Sequence, residues 1–124
     1  MHVARARKVR RYAQDLGARP DVLNAALAEH PRSFAEFYRA QVASERGQIA
    51  AAIAHLDEAQ RNYEASYGKK HANIGEVLVT RALLLDKLGR RVEAQSQCDS
   101  GIAMLNETMG ADSSFTQGLA KSCN

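Results

Sequence analysis

Apolar residues return along this chain at helical spacing almost from end to end. Val9, Tyr12, Ala13 and Leu16 share one face of a segment from Val3 to Leu16, and Gly17 is placed to end it. Pro20 can open a second, short helix with Val22, Leu23, Ala26 and Leu27 as its stripe. His30-Pro31 closes that helix, because the residue before proline avoids the helical region. Ser33-Phe34-Ala35-Glu36 reads as a capping box that opens a helix running to about Arg46. After Gly47 a longer helix is predicted from about Gln48 to Tyr67, with Ile49, Ala52, Ile53, Leu56, Ala59 and Tyr63 facing inward. Gly68 stops it. A second pair follows, about Asn73 to Leu88 and Arg91 to Met109, broken at Gly89 and stopped at Gly110. Ser113 to Asn124 looks like the start of another first helix, cut short. Valine and isoleucine never alternate as they would in a strand.

The two long pairs are one pattern written twice. At an offset of 42 residues Gly47 falls on Gly89, Gly68 on Gly110, Ala40 on Ala82, Ala52 on Ala94, Leu56 on Cys98 and Ala59 on Gly101. A period of that size indicates stacked helical units that present a long surface to another molecule.

Composition adds little that contradicts this. Alanine is abundant and β-branched residues are sparse, which favours helix. Arginine far outnumbers lysine, a usage that points to a GC-rich bacterial source. No apolar run approaches the roughly 20 residues needed to span a bilayer, and Met1 to Arg11 lacks the apolar stretch of a secretory signal. The expected location is the cytoplasm, with no membrane partner. The net charge of +3 is uneven: residues 1–19 hold six basic groups and one acid, while the remainder holds eleven basic and thirteen acidic groups. Cys98 and Cys123 form no CxxC and have no histidine at ligand spacing. They read as a core thiol and a tail thiol. If the helix holding Cys98 packs antiparallel to the last helix, the turn near Gly110 to Ser113 brings the pair together, and a bridge would pin the C-terminus. A reducing cytoplasm argues against that.

The small residues carry a resemblance. Ala40, Gly47, Ala52, Leu56 and Ala59 in one unit, and Ala82, Gly89, Ala94, Cys98 and Gly101 in the next, resemble the pattern of the tetratricopeptide repeat. Lys87-Leu88-Gly89-Arg90-Arg91-Val92-Glu93-Ala94 is similar to that family's turn. The 42-residue period, with His30-Pro31 and Gly68-Lys69-Lys70-His71 before the first helices, resembles the kinesin light chain type; the third copy, Gly110-Ala111-Asp112-Ser113, lacks the histidine. The resemblance covers about residues 31 to 124 and implies an all-α, antiparallel helix-hairpin solenoid. Within it, 31–68 and 69–110 are two full repeats in a single domain, 1–30 a helical cap and 111–124 a partial repeat. Two departures stand out: the early aromatic of the first helix is Glu36 in one unit and Leu78 in the other, and the large residue near its end is Ala43 and Leu85.

The resemblance also implies where a partner sits. First helices line the concave groove of such repeats. The matching positions are Phe34, Phe37, Gln41, Ser44 and Glu45 in the first unit, then Glu76, Val79, Leu83, Asp86 and Lys87 in the second. Phe34 and Phe37 are aromatic anchors for a partner, or they pack under the preceding hairpin against Leu23 and Leu27. The Lys and Asn that bind a terminal carboxylate in chaperone-tail repeats are missing from these positions, so that ligand is not expected.

Other chemistry is thin. Arg5, Arg7, Lys8, Arg10 and Arg11, with Tyr12, could touch phosphates in a salt-sensitive way; the plainer reading is a solvated helix face. Lys69-Lys70-His71 reads as a solvated basic turn. His55 and Glu58 share a helix face but lack a third ligand or a nucleophile. The glycines read as isolated helix terminators and not as a phosphate-cradling loop. The sequence therefore points to a non-enzymatic protein-interaction module, with no catalytic residue, metal or cofactor, binding a peptide or helix of a partner protein. A nucleic-acid-associated regulator acting through the basic N-terminal helix is one alternative. The other is a homodimer in which the unfinished third repeat docks on a second copy through Phe115 and Leu119.

Overall fold

The structure, a computed structural model, describes residues 32–123, with side chains from 35 onward. It contains five helices: α1 (Arg32–Glu45), α2 (Ile49–Tyr67), α3 (Ala72–Lys87), α4 (Arg91–Thr108) and α5 (Ser114–Ser122). No strand occurs among the described residues. The bounds fall within a residue or two of those read from periodicity, the ordinary spread of helix ends. The two N-terminal helices predicted before Pro31 lie outside the described residues. The chain divides into two compact units, Met1–Asn62 and Tyr63–Asn124.

In the first unit α1 turns back on α2 through Arg46-Gly47-Gln48. The Gln48 N–H donates to the Ala43 carbonyl at 2.9 Å and the Gly47 N–H to Ser44 at 3.0 Å, with Gly47 at φ 76°. This is the Schellman ending, which needs a left-handed residue and so selects glycine. The core of the unit is small and includes Phe37, Tyr38, Ala40, Ala52, Leu56 and Ala59, all buried. α1 begins at Arg32, ahead of the Ser33 predicted to cap it, and Glu36 is engaged elsewhere. Its carboxylate accepts from Arg39 one turn on, and its other oxygen lies 3.3 Å from His55 Nδ1 across the hairpin.

The second unit repeats the turn. Arg90 N–H donates to Leu85 at 3.0 Å and Gly89 N–H to Asp86 at 2.9 Å, again a 42-residue copy, with Gly89 at φ 80°. Helix starts repeat too. His71 caps α3 by accepting from the Asn73 N–H through Nδ1 at 3.1 Å. Ser113, the residue that replaces the histidine in the third copy, caps α5 by accepting from the Phe115 N–H at 3.2 Å. The hydroxyl thus fills the same role, which is why α5 begins in register without the histidine. His71 also stacks on Tyr67, with ring centroids 4.2 Å apart. Lys70 is no free charge: its Nζ donates to Glu107 at 2.8 Å.

α3 and α4 run antiparallel and cross at two glycines. A Cβ on Gly75 would stand 2.8 Å from Leu105 Cγ and 3.1 Å from the Gly101 carbonyl oxygen. One on Gly101 would stand 2.8 Å from Val79 Cγ2 and 2.9 Å from the Gly75 carbonyl oxygen. Each glycine therefore receives the large residue one turn along on the opposite helix. Val79 and Leu105 are both fully buried. These glycines sit inside helices, as does Gly118 in α5, so the reading of every glycine as a terminator is corrected: close packing compensates the helix propensity lost at Gly75 and Gly101.

The matched positions of the repeat are buried in both copies: Ala40 and Ala82, Ala52 and Ala94, Leu56 and Cys98, Ala59 and Gly101. Cys98 and Cys123 are joined in a disulfide, so the reading of two separate thiols is also corrected. The packing that sequence logic made conditional for a bridge is present: α5 lies against both α3 and α4.

Gly101→Ala is expected to lower unfolding stability by about 1–3 kcal/mol, because overpacking outweighs the gain in propensity. Gly118→Ala meets no atom within 4 Å and should raise stability by up to about 1 kcal/mol. Urea unfolding of the two variants, followed by circular dichroism, checks the opposite signs.

Candidate functional site

The expected groove positions separate by burial. Phe37 is 3 % exposed, Val79 0 % and Glu76 6 %, so these three belong to the interior. Phe37 is therefore not presented as an exposed anchor; Leu23 and Leu27, its expected neighbours, lie outside the described residues. Gln41, Ser44 and Leu83 are half-buried, and Glu45, Asp86 and Lys87 are exposed. Phe34 lies in α1, with its side chain outside the described set; Arg5, Arg7, Lys8, Arg10 and Arg11 are also outside it.

Two of the ten positions come together in one cleft. Leu83 and Asp86, on successive turns of α3, line a cavity of about 280 Å³ with Ala82 from the same helix. Arg91, Ala94, Gln95 and Cys98 close it from α4, and Ser122 and Cys123 from the end of α5. Its floor is apolar: Ala82, Ala94 and Cys98 are buried. Its rim is polar, formed by exposed Asp86, Arg91, Gln95 and Ser122. The Arg91 Nε lies 3.9 Å from Asp86 Oδ1, a loose pairing across the turn that leaves both groups open to a ligand. The volume falls just under the roughly 300–1,000 Å³ of small-molecule pockets. It suits one or two inserted side chains.

The disulfide has a second cavity on its other side. Gln95, Cys98, Asp99, Ile102, Ala103 and Asn106 from α4 line it with Ala120 and Cys123 from α5, enclosing about 340 Å³. Sequence reasoning missed the α4 and α5 contributions, Arg91, Gln95 and Ser122 among them. The signal that could have found them was the antiparallel packing considered for Cys98 and Cys123.

His55 finds its partner across the hairpin and not along its own helix. Glu58, its expected neighbour, accepts instead from Arg61 at 2.6 Å. Burial pushes the Glu36 carboxyl up, yet the hydrogen bonds and positive charges of Arg39 and His55 outweigh it, so Glu36 titrates below its ordinary 4.5. The three groups form a structural ion cluster with no nucleophile among them. Among the described residues no three His, Cys, Asp or Glu side chains gather as metal ligands. No helix among them is long and apolar enough to cross a membrane.

The fold and site define an all-α protein built of packed helix pairs, with a shallow cleft where three helices meet. No protein-family model matches the chain, and neither a curated protein nor a solved structure matches it.

Glu36→Gln should cost about 0.5–1 kcal/mol at pH 7, since its partners are largely solvent-exposed. A depressed carboxyl contributes stability above its unfolded value and loses it as pH falls through the folded one. The difference between the two proteins should therefore shrink as pH drops below about 4.5. Thermal melts from pH 7 to pH 3 check it.

Proposed function

We propose that this chain is a tetratricopeptide-like interaction module, an adaptor or regulatory part that binds a peptide or helix of a partner protein and does no chemistry itself. The observation that carries the reading is the structural repeat. Turn hydrogen bonds, glycine φ values, helix caps and buried small residues all recur at one offset. Repetition of a scaffold favours presentation of a surface over assembly of a single reactive centre. Within it, the cleft at Leu83 and Asp86 supplies an apolar floor for an inserted side chain and two opposite charges to orient the segment around it. The reading joins a fold-level resemblance to a site, and the site carries the specificity.

The homodimer reading is weaker on Phe115, which is 6 % exposed within its own chain and so spoken for; Leu119 is half-buried. The reading through the N-terminal basic residues rests on sequence alone. The disulfide favours an oxidising compartment over the cytoplasm expected from composition.

The test is affinity capture from nuclease-treated lysate, comparing the native chain with Leu83→Asp and with Lys69→Ala, an exposed position before the start of α3 that lines neither cavity. A partner that binds the native chain and Lys69→Ala at moderate salt should lose at least about tenfold in affinity to Leu83→Asp, with helicity unchanged. Equal capture by all three would remove the cleft from the binding surface.

A further inference from the structure

We infer that the Cys98–Cys123 disulfide is a reducible latch that holds α5 as one wall of the cleft, so that thiol–disulfide exchange opens and closes the site. Three observations carry this. First, α5 is nine residues long, shorter than the roughly 12–15 that an isolated helix needs in water, and Gly118 in its middle lowers its propensity further. Its hold on the rest of the unit is concentrated at its ends: Phe115 and Thr116 are buried near the start, and Cys123 is bonded at the finish. Between them Gln117 and Gly118 are exposed, while Leu119 and Ala120 are only half-covered.

Second, the bridge can be reached. Both of its cysteines line both cavities. Cys123 is half-buried, whereas Cys98 is 5 % exposed. A small thiolate therefore meets the Cys123 sulfur first. Third, the α3–α4 crossing is independent of the bridge. It rests on Gly75, Val79, Gly101 and Leu105, none of which lines either cavity. The hairpin can persist when the bridge opens.

The exchange balances with a small dithiol as reductant. One thiolate of the dithiol attacks Cys123 Sγ, the S–S bond breaks, and Cys98 departs as a thiolate. The second thiol of the reductant then attacks its own sulfur in the mixed disulfide and releases Cys123. Two electrons pass to the protein pair, the reductant leaves as a cyclic disulfide, and its two protons end on Cys98 and Cys123. With the bond gone, the last turns of α5 come away. Ser122 and Cys123 leave the cleft rim, and Ala82, Leu83 and Ala94 lose that cover. The latch stands on geometry and needs no partner, so its test is separate from capture.

Hydrogen exchange by mass spectrometry, on the full chain in native buffer before and after treatment with millimolar dithiothreitol, tests it. Intact mass after alkylation reports whether the bridge opened. The expected result is reduction within an hour, with amides of 117–122 exchanging at least about tenfold faster while those of 76–105 keep their protection. The full-length Cys123→Ser chain should show the same pattern without reductant. Three results would overturn the latch: a bridge that resists the dithiol, unchanged exchange in α5 after reduction, or a rise across α3 and α4 together, which would make the bond a staple of the whole unit.

Discussion

The approach of α3 to α4 at Gly75 and Gly101 governs the second unit. Two backbones can come this close only where neither carries a Cβ, and each glycine here leaves room for a large residue on the facing helix. Gly75 takes Leu105 and Gly101 takes Val79, so the pair interlocks in a single register. That register sets the rest. It places Ala82 and Leu83 near Ala94 and Cys98, brings the start of α4 beside Asp86, and leaves on α4 the surface that α5 occupies. A shift of one turn along either helix would drive Leu105 or Val79 into side chains and not into a gap.

The turn chemistry supports the same register from outside. The Schellman endings at Gly47 and Gly89 reverse the chain in three residues and satisfy the last carbonyls of α1 and α3. Such short reversals fix which residues of the two helices can meet. Local and tertiary preferences agree, as they must for one packing to win. Where the copies differ, the difference has a use. Ala59 becomes Gly101, which permits the close approach of α4 to Gly75 and Val79; Leu56 becomes Cys98, which permits the bridge.

That bridge joins α5, the shortest of the described helices, to the α3–α4 hairpin, and a cleft lies at their junction. The cleft has no deep enclosure and no assembled set of reactive groups. It has an apolar floor, opposed charges at the rim and a wall whose attachment is covalent. In the function we propose, these features hold a segment of another chain, and in the latch we infer, the cleft depends on the state of one bond.

The sequence by itself determined the helices, their ends and their repetition. Those features depend on local physics: apolar spacing at the helical period, glycine where φ is positive, and a side-chain acceptor before the first turns of α3 and α5. It also marked Ala82, Ala94, Cys98 and Gly101 as inward positions, because a 42-residue repeat exposes them as matched small or apolar residues. Only the tertiary structure decided which of the groove positions face solvent. Phe37, Glu76 and Val79 turned inward because neighbours that no local pattern specifies cover them. It alone gave His55 to Glu36 across the hairpin in place of Glu58 along the helix. It alone showed Gly75 as a packing glycine, since a helical glycine reads as a defect until the opposing Leu105 is seen. The pairing of Cys98 with Cys123 belongs to the same class: residues 25 apart meet only when α5 folds back on α4, and that contact is made by packing, not by either segment alone.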